Sequence, residues 1–412
     1  MTEKFLTDEY ESGLSSEIKE ALDLCSKVAD LNKFKIYLIG GIVRDLILKN
    51  QIFDVDIIVE GNAIDFARLL EKNYACSILQ IQKDLKTAKV EFENQIVIDF
   101  ASTRCESYPK AGFLPILTAH SCSLEEDVKR RDFTINAMAI ALNSEKKFML
   151  VDYLDGFSDI KQKKLRILHN DSFVEDPSRI VRGLKFAIRF GFDLEENTKR
   201  LQYGYLNSPI NESMPLERVK GELKQLFSLN SYIAFDSFIS QKIYRLFLQE
   251  KPCSLEGSYL SEVIKEFSIN YHDIWLFYLG IVLIGQDKKL LDRLNLSGRE
   301  QRAILDASEL VKKPLKEFSN NFEIYEFFHK KSDLAAILYY AVTKDDYVKF
   351  YLKQLKGIKL LISGEDLIQL GLTPSKSFSE IFKQVLAKKI NVGLDSKQDE
   401  LDYVKLILES FD

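Results

Sequence analysis

The sequence is sparing with the residues that mark several large classes of protein. Five cysteines (Cys25, Cys76, Cys105, Cys122, Cys253) are spread over 412 residues with no CxxC pair. Their odd number and wide spacing exclude a disulfide frame and a sequence-encoded zinc motif, and they read as reduced thiols. Only four histidines occur. None is spaced around His272-Asp273 to support a metal-dependent phosphohydrolase of the HD type, so that pair reads as helix surface. The longest apolar run, Ile274 to Gly285, is too short to cross a bilayer. Excess positive charge is missing too: the net charge of -5 excludes a uniformly basic chain but leaves room for a local basic surface. The first residues, MTEKFLTDEYESG, are acidic and polar, unlike a signal or transit peptide. A cytoplasmic location is expected.

What is present fits a folded, largely helical protein. Hydrophobic residues make up 46% and charged residues 29%, with 8 prolines, and the length allows two to four domains. Leu14, Ile18, Leu22, Cys25 and Val28 mark a first amphipathic helix. Ile36 to Ile39 then reads as a buried strand, Gly40-Gly41 as a break, and Ile42 to Lys49 as a helix. Phe53 to Val59 alternates, which predicts a strand with Asp54 and Asp56 on one face and Phe53, Val55, Ile57 and Val59 on the other. Two neighbouring carboxylates repel unless a cation lies between them, and Mg²⁺ takes such oxygen ligands together with substrate phosphates. A lone DxD is also a common solvated strand face. The glycine pair upstream favours a triphosphate site, because helix N-terminal N–H groups bind anions.

Further along, Ala63 to Lys72 reads as helix, and Ala88–Phe92 and Ile96–Ala101 as strands turned at Glu93-Asn94-Gln95. Asp99, in the second of these, is either a third carboxylate beside the pair or a strand-end residue. Thr103 to Ser123 holds Pro109, Gly112 and Pro115 without a period and reads as a long loop of the kind that often serves as a lid. Lys129 to Ala139 is a basic cluster running into an apolar stretch. Asp152 to Gly156 reads as a turn. Beyond Lys164 the spacing is helical to the end.

Glu175 to Arg182 carries two readings. Asp176 suits a helix N-cap and Pro177 the first helical position, while Arg179, Arg182, Lys185 and Arg189 recur along one face. Lys161 to Arg189 holds eight basic and three acidic residues, a local +5 suited to a polyanion. Asp176 and Arg179 could together match the acceptor–donor edge of cytosine or adenine, with a mismatch costing on the order of 1–3 kcal/mol per unsatisfied group. On spacing alone, a capping Asp with an i,i+3 salt bridge is the simpler account.

Taken together, these residues resemble the class II tRNA nucleotidyltransferases and bacterial poly(A) polymerases of the polymerase β superfamily. Gly40-Gly41-x-Val43-Arg44-Asp45 with Asp54-x-Asp56 is similar to the first family motif. RRDFTINAMA (Arg130 to Ala139) is similar to the second and Asp152–Gly156 to the third. EDPSR (Glu175 to Arg179) resembles the fourth, and Glu217 to Leu223 the fifth. Five motifs in order over about half the chain are specific where one would not be.

The resemblance implies an α+β fold: a polymerase-β-type nucleotidyltransferase head with a mixed sheet, followed by all-α neck, body and tail. The corresponding segments are 1–150 for the head, 151–228 for a neck bearing the nucleotide template, 229–330 for the body and 331–412 for a tRNA-binding tail. It implies Mg²⁺ on Asp54 and Asp56 with Asp99 as a further catalytic carboxylate. Gly41, Arg44, Arg131, Asp132, Asn136, Asp176, Arg179, Arg182 and Lys185 would bind nucleotide, although relatives often carry arginine at the position of Lys185. The implied reaction is attack of a tRNA 3′-OH on the α-phosphate of CTP or ATP with loss of pyrophosphate, building or completing the terminal CCA. Alternatives are a dedicated A-adding or CC-adding enzyme, a poly(A) polymerase, or an inactive RNA-binding protein. The intact acidic and basic motif residues argue against the last. The ordinary length of Thr103–Ser123 predicts competence for A addition. In the tail, Pro374-Ser375-Lys376 departs from the Gly-Pro that many relatives carry after the proline.

Overall fold

Residues 4–229, 232–252, 255–313, 317–375 and 377–409 are described by a computed structural model. Cys253 and Lys376, noted above, lie outside them. Two units divide the chain: residues 1–222 with 237–249, and residues 223–236 with 250–412.

In the first unit, helices α1 (Thr7–Gly13) and α2 (Ser16–Asn32) precede strand β1 (Lys35–Ile39). Ser15 caps α2 by accepting the Ile18 N–H, and Lys33 closes it in the left-handed conformation. Helix α3 (Gly41–Ile47) follows β1 directly, then β2 (Val55–Glu60), α4 (Ala63–Asn73), β3 (Cys76–Gln82), β4 (Thr87–Phe92) and β5 (Val97–Ser102). Next come β6 (Arg104–Ser107), β7 (Ile116–His120), α5 (Leu124–Lys129), β8 (Ala139–Ala141) and β9 (Leu150–Val151). The main sheet has seven strands in the order β3-β4-β5-β2-β1-β8-β9. It is mixed, because β2 and β5 run parallel while the other neighbours are antiparallel.

Both faces of this sheet are covered. Phe66 of α4 packs between Phe34 and Phe100, with ring centroids 5.4 and 5.5 Å apart. On the opposite face Leu124 and Val128 of α5 pack with Ile39, Ile58, Ala137 and Ala139. The period-two expectation for residues 53–59 therefore needs two corrections. Asp54 precedes β2 and does not lie within it, and Phe53 is 75% exposed because it too lies ahead of the strand. Ile58, which shares its pleat face with Asp56, is buried because α5 roofs that end of the strand.

The expected long loop at 103–123 is also different: β6 and β7 form an antiparallel hairpin. A register shift between Cys105 and Glu106 breaks the alternation that would have revealed it. Edge strand β3 had no strand expectation at all.

After β9, Asp152 closes a turn by accepting the N–H groups of Leu154, Gly156 and Phe157 at 3.3, 3.0 and 2.8 Å. Gly156 is required there, since a Cβ would stand 2.3 Å from the Thr134 carbonyl oxygen. Helix α6 (Gly156–Lys161), the two-residue strands β10 (Lys164–Leu165) and β11 (Asp193–Leu194), and helices α7 (Ser172–Glu175), α8 (Ser178–Phe190) and α9 (Glu196–Leu206) complete this region. Helix α8 docks through Phe133, whose ring is buried against Phe186 at 5.9 Å and lies beside Gly183.

Helix α10 (Glu217–Phe227) begins in the first unit and ends in the second. The second unit is helical. Its core includes the apolar helix Tyr271–Leu283, buried from Ile274 onward, with Gly280 fitted against Leu338 of the helix Asp333–Thr343. His272 is exposed on the first turn of that helix, where its N–H is accepted by Asn270, and Asp273 pairs with Arg299. Toward the C-terminus Ile362, Leu367, Ile381, Val385, Val404 and Ile407 form a separate cluster. No helix among the described residues is long and apolar enough to cross a membrane. The α+β fold, a mixed-sheet head with a mostly helical remainder, is as expected.

Candidate active site

Two adjoining hollows occupy the first unit, of about 680 and about 510 Å³. Gly41, Arg104, Arg130 and Arg131 line both and stand where the two meet. The smaller hollow contains the carboxylates Asp56 and Asp99 beside Lys89 and three arginines, and the larger one is rich in arginines.

The carboxylate hollow is built by the sheet. Parallel pairing of β2 with β5 sets Asp56 directly opposite Asp99, and Lys89 on β4 stands opposite Asp99 on the other side. Lys89 Nζ lies 2.9 Å from Asp99 Oδ2. Partial burial, then the charge of Asp99, raises the pKa of Asp56; Arg131 and Lys89 oppose the shift and Asp54 adds to it. This is the field a cation would relieve. The donors are hard oxygens, open on one side, and so suit a divalent ion such as Mg²⁺. Asp54, Asp56 and Asp99 are the residues that could hold it.

The boundary between the hollows is set by Gly40 and α5. Gly40 has φ 75°, and a Cβ there would stand 3.1 Å from Arg131 Nη1, so glycine lets the guanidinium lie against the start of α3. Asp127, fully buried, accepts from Arg130 Nη2 at 2.7 Å, Arg131 Nη2 at 3.1 Å and the Arg104 backbone N–H at 3.1 Å. Desolvation lowers the Arg131 pKa despite Asp127, yet a guanidinium stays charged at neutral pH. Arg44 is buried. Its Nη1 donates to Asn136 Oδ1 at 2.6 Å, its Nε and Nη2 to Asp45, and it lies 4.5 Å from the Phe190 ring. Asn136 in turn donates to Asp132 at 3.0 Å, and Arg182 Nη1 lies 3.1 Å from the other Asp132 oxygen. Burial alone would raise the Asp132 pKa, but Arg182 and these donors hold it below the usual carboxylate range.

The larger hollow receives Asp176 and Arg179 from the start of α8. Asp176 Oδ1 accepts the Ser178 N–H at 3.1 Å and its hydroxyl at 2.5 Å. The helix begins at Ser178 with Pro177 as its N-cap, one residue later than expected, so Asp176 braces the first turn from just outside it. Its Oδ2 pairs with Arg218 of α10. Arg179 donates to the Arg130 carbonyl at 2.9 Å and the Ser172 carbonyl at 3.3 Å, with its Nε 3.8 Å from Asp176 Oδ2. Tyr108 lies beside it, 5.9 Å from the guanidinium carbon.

Of the residues expected from sequence, Gly41, Arg44, Arg131, Asp132, Asn136, Asp176, Arg179 and Arg182 line the larger hollow, and Gly41, Asp56, Asp99 and Arg131 the smaller. Asp54 lines neither, yet its charge reaches Asp56. Lys185 lines neither as well; its Nζ lies 2.8 Å from Glu222, which also holds Arg182 at 2.7 Å. Sequence reading missed Asp127, Arg104, Glu106, Tyr108 and the Asp176–Arg218 pair. Asp127 was open to detection, standing three and four residues before Arg130 and Arg131 on a helix. Arg218 was not, being 42 residues from its partner.

The first unit thus combines facing carboxylates on a mixed sheet, a glycine turn and an arginine-lined pocket. The chain matches the Poly A polymerase head domain over residues 36–166. It is 29% identical over 408 residues to the A-adding tRNA nucleotidyltransferase of Geobacter sulfurreducens, covering 91% of this chain and 45% of that one. The chain thus spans about half the length of the first curated relatives it matches. The A-adding enzyme of Halalkalibacterium halodurans is 27% identical over 414 residues, covering 97% of this chain and 95% of that one. Among solved structures, a CCA-adding enzyme in an apo form aligns with TM-score 0.82, 25% identity and full coverage of both chains. The Thermotoga maritima CCA-adding enzyme complexed with tRNA_CCA aligns with TM-score 0.75 and 26% identity over 99% of this chain and 100% of that one.

Proposed function

We propose that this protein is a template-independent nucleotidyltransferase that builds or completes the 3′-terminal CCA of tRNA from CTP and ATP, in the cytoplasm, with Mg²⁺. The observation that supports the reading is the adjacency of the two hollows, which share Gly41 and Arg131 in their linings. A base read by Asp176 and Arg179 would have its phosphates directed along Arg131 toward Asp56 and Asp99. Mg²⁺ held by Asp54 and Asp56, with Asp99 beside them, would polarise the α-phosphate and offset the charge of the departing pyrophosphate. The remaining work belongs to position: Gly41 and Arg131 align the triphosphate, while Asp132 and Asn136 fix Arg182 and Arg44 around the pocket. Arg182 faces the nucleotide, and Lys185 supports it through their shared partner Glu222. Segments 229–330 and 331–412 serve as body and tail that hold the tRNA.

A second reading, dedicated A addition, is supported by the A-adding names of the relatives. One experiment separates the readings. Three tRNAs, ending before the whole CCA, before the second C and before the terminal A, are each offered CTP and ATP. Growth on all three supports CCA addition, and growth on the last alone supports A addition. Growth past the terminal A points to poly(A) synthesis, and growth on none rejects the proposal.

A further inference from the structure

We propose that Cys105, Cys122 and Glu126 form a binding site for a thiophilic divalent cation, with Zn²⁺ the best fit, at the base of the β6–β7 hairpin. The three residues are remote from any sequence motif for metal. The fold nonetheless brings both Sγ atoms and a Glu126 carboxylate oxygen within 4.8 Å of one another. Among the described residues no other group of three such side chains is gathered so closely.

The backbone around the three is fixed. Ser121, with φ 63°, turns the chain out of β7 and donates its N–H to the Thr103 carbonyl at 2.7 Å. Thr103 Oγ1 donates to the Cys122 carbonyl at 2.6 Å. Arg104, the neighbour of Cys105, is tied to α5 through its N–H to Asp127. Glu126 accepts the Ser123 N–H on Oε2 at 2.9 Å, which sets its side chain and leaves its second oxygen to offer. Both thiols are half-buried, so a cation could reach them from solvent.

Zinc binds thiolate at about 2.3 Å and carboxylate at about 2.0–2.2 Å in tetrahedral geometry, which small side-chain rotations here would satisfy, with water as fourth ligand. Each thiol gives its proton to solvent as its sulfur–metal bond forms; no electrons are exchanged. The donor set separates this site from the all-oxygen site at Asp54 and Asp56, since soft thiolates select zinc over magnesium. Its effect would be local and structural. The cation would tie the hairpin, which carries Glu106 and Tyr108 to the larger hollow, to α5, which carries Asp127.

The test uses the full chain, stripped with a chelator and titrated with Zn²⁺ against a chromophoric competitor, in an Asp56→Asn background that weakens the oxygen site. The expected result is one tight equivalent, weakened at least tenfold by Cys105→Ser or Cys122→Ser and less by Glu126→Gln. Two thiols should lose reactivity toward a thiol reagent on zinc addition, and Co²⁺ should give a thiolate charge-transfer band. Absence of stoichiometric binding, or binding that survives both serine substitutions, overturns the proposal. If the serine variants do not fold, a Co²⁺ complex of the parent chain without that band overturns it. Formation of a Cys105–Cys122 disulfide with oxidised glutathione that zinc fails to prevent also overturns it.

Discussion

Asp56 sits in an unfavourable field, facing Asp99 across the β2–β5 pair with only Arg131 and Lys89 to offset the repulsion. Such an arrangement is unfavourable to the fold unless a cation occupies it. Asp54→Ala or Asp56→Asn should lower nucleotide addition by at least about 10³-fold, the scale of several kcal/mol of lost charge stabilisation. tRNA affinity in a filter-binding assay and the unfolding temperature should be retained. Retained activity would remove the metal assignment. In the larger hollow, Asp176 both accepts the first N–H of α8 and pairs with Arg218. Asp176→Ala should cut discrimination of CTP and ATP against GTP and UTP by roughly 5- to 150-fold, the range set by about 1–3 kcal/mol per mismatched group. Arg218→Ala should shift the same kcat/KM ratios, because Asp176 Oδ2, which now pairs with both Arg218 and Arg179, loses the first of them. If four-nucleotide kinetics show unchanged ratios in both variants, Asp176 merely braces the helix.

Helix α5 is short, yet it determines where two guanidinium groups point. Asp127 is fully buried and holds Arg130, Arg131 and the backbone of Arg104 at once. Asp127→Ala removes the carboxylate that holds the partly buried Arg131 and leaves Arg130 with Glu106 at 3.3 Å, a change expected to cost about 3–5 kcal/mol. Denaturant midpoints should register that loss, and KM for nucleotide should rise with it; a change below about 1 kcal/mol would show that the arginines find other partners. The β6–β7 hairpin was illegible in sequence for a related reason. Its strands are short, Pro109, Gly112 and Pro115 interrupt the pattern, and the bulge at Cys105 shifts the alternation. Helix α8 was the opposite case. The basic face and the buried Ile180, Val181 and Leu184 agree, so pattern placed the helix, although it begins at Ser178, one residue after the expected Pro177.

Across the molecule, charge is unevenly shared. The net charge is -5, while residues 161–189 carry a surplus of five positive charges. A polyanion would therefore be met by a local surface and repelled elsewhere, which favours a defined footprint over general adhesion. tRNA affinity should fall linearly with salt on a log–log scale, with a slope of about -0.7 for each phosphate contacted along single-stranded RNA. Replacing Arg189, the exposed end of the basic face, by Ala should reduce that slope by less than one such step and leave nucleotide selection unchanged. A fall in selection with it would place Arg189 in the pocket. By itself the sequence determined the strand–glycine–helix start, the acidic pair, the arginines of α8 and the helical remainder, because each depends on residues a few positions apart and on local periodicity. Only the tertiary structure decided that Asp99 faces Asp56, that Arg218 holds Asp176, and that Cys105, Cys122 and Glu126 converge. Those relations depend on strand register and helix docking between distant segments, which no local spacing encodes.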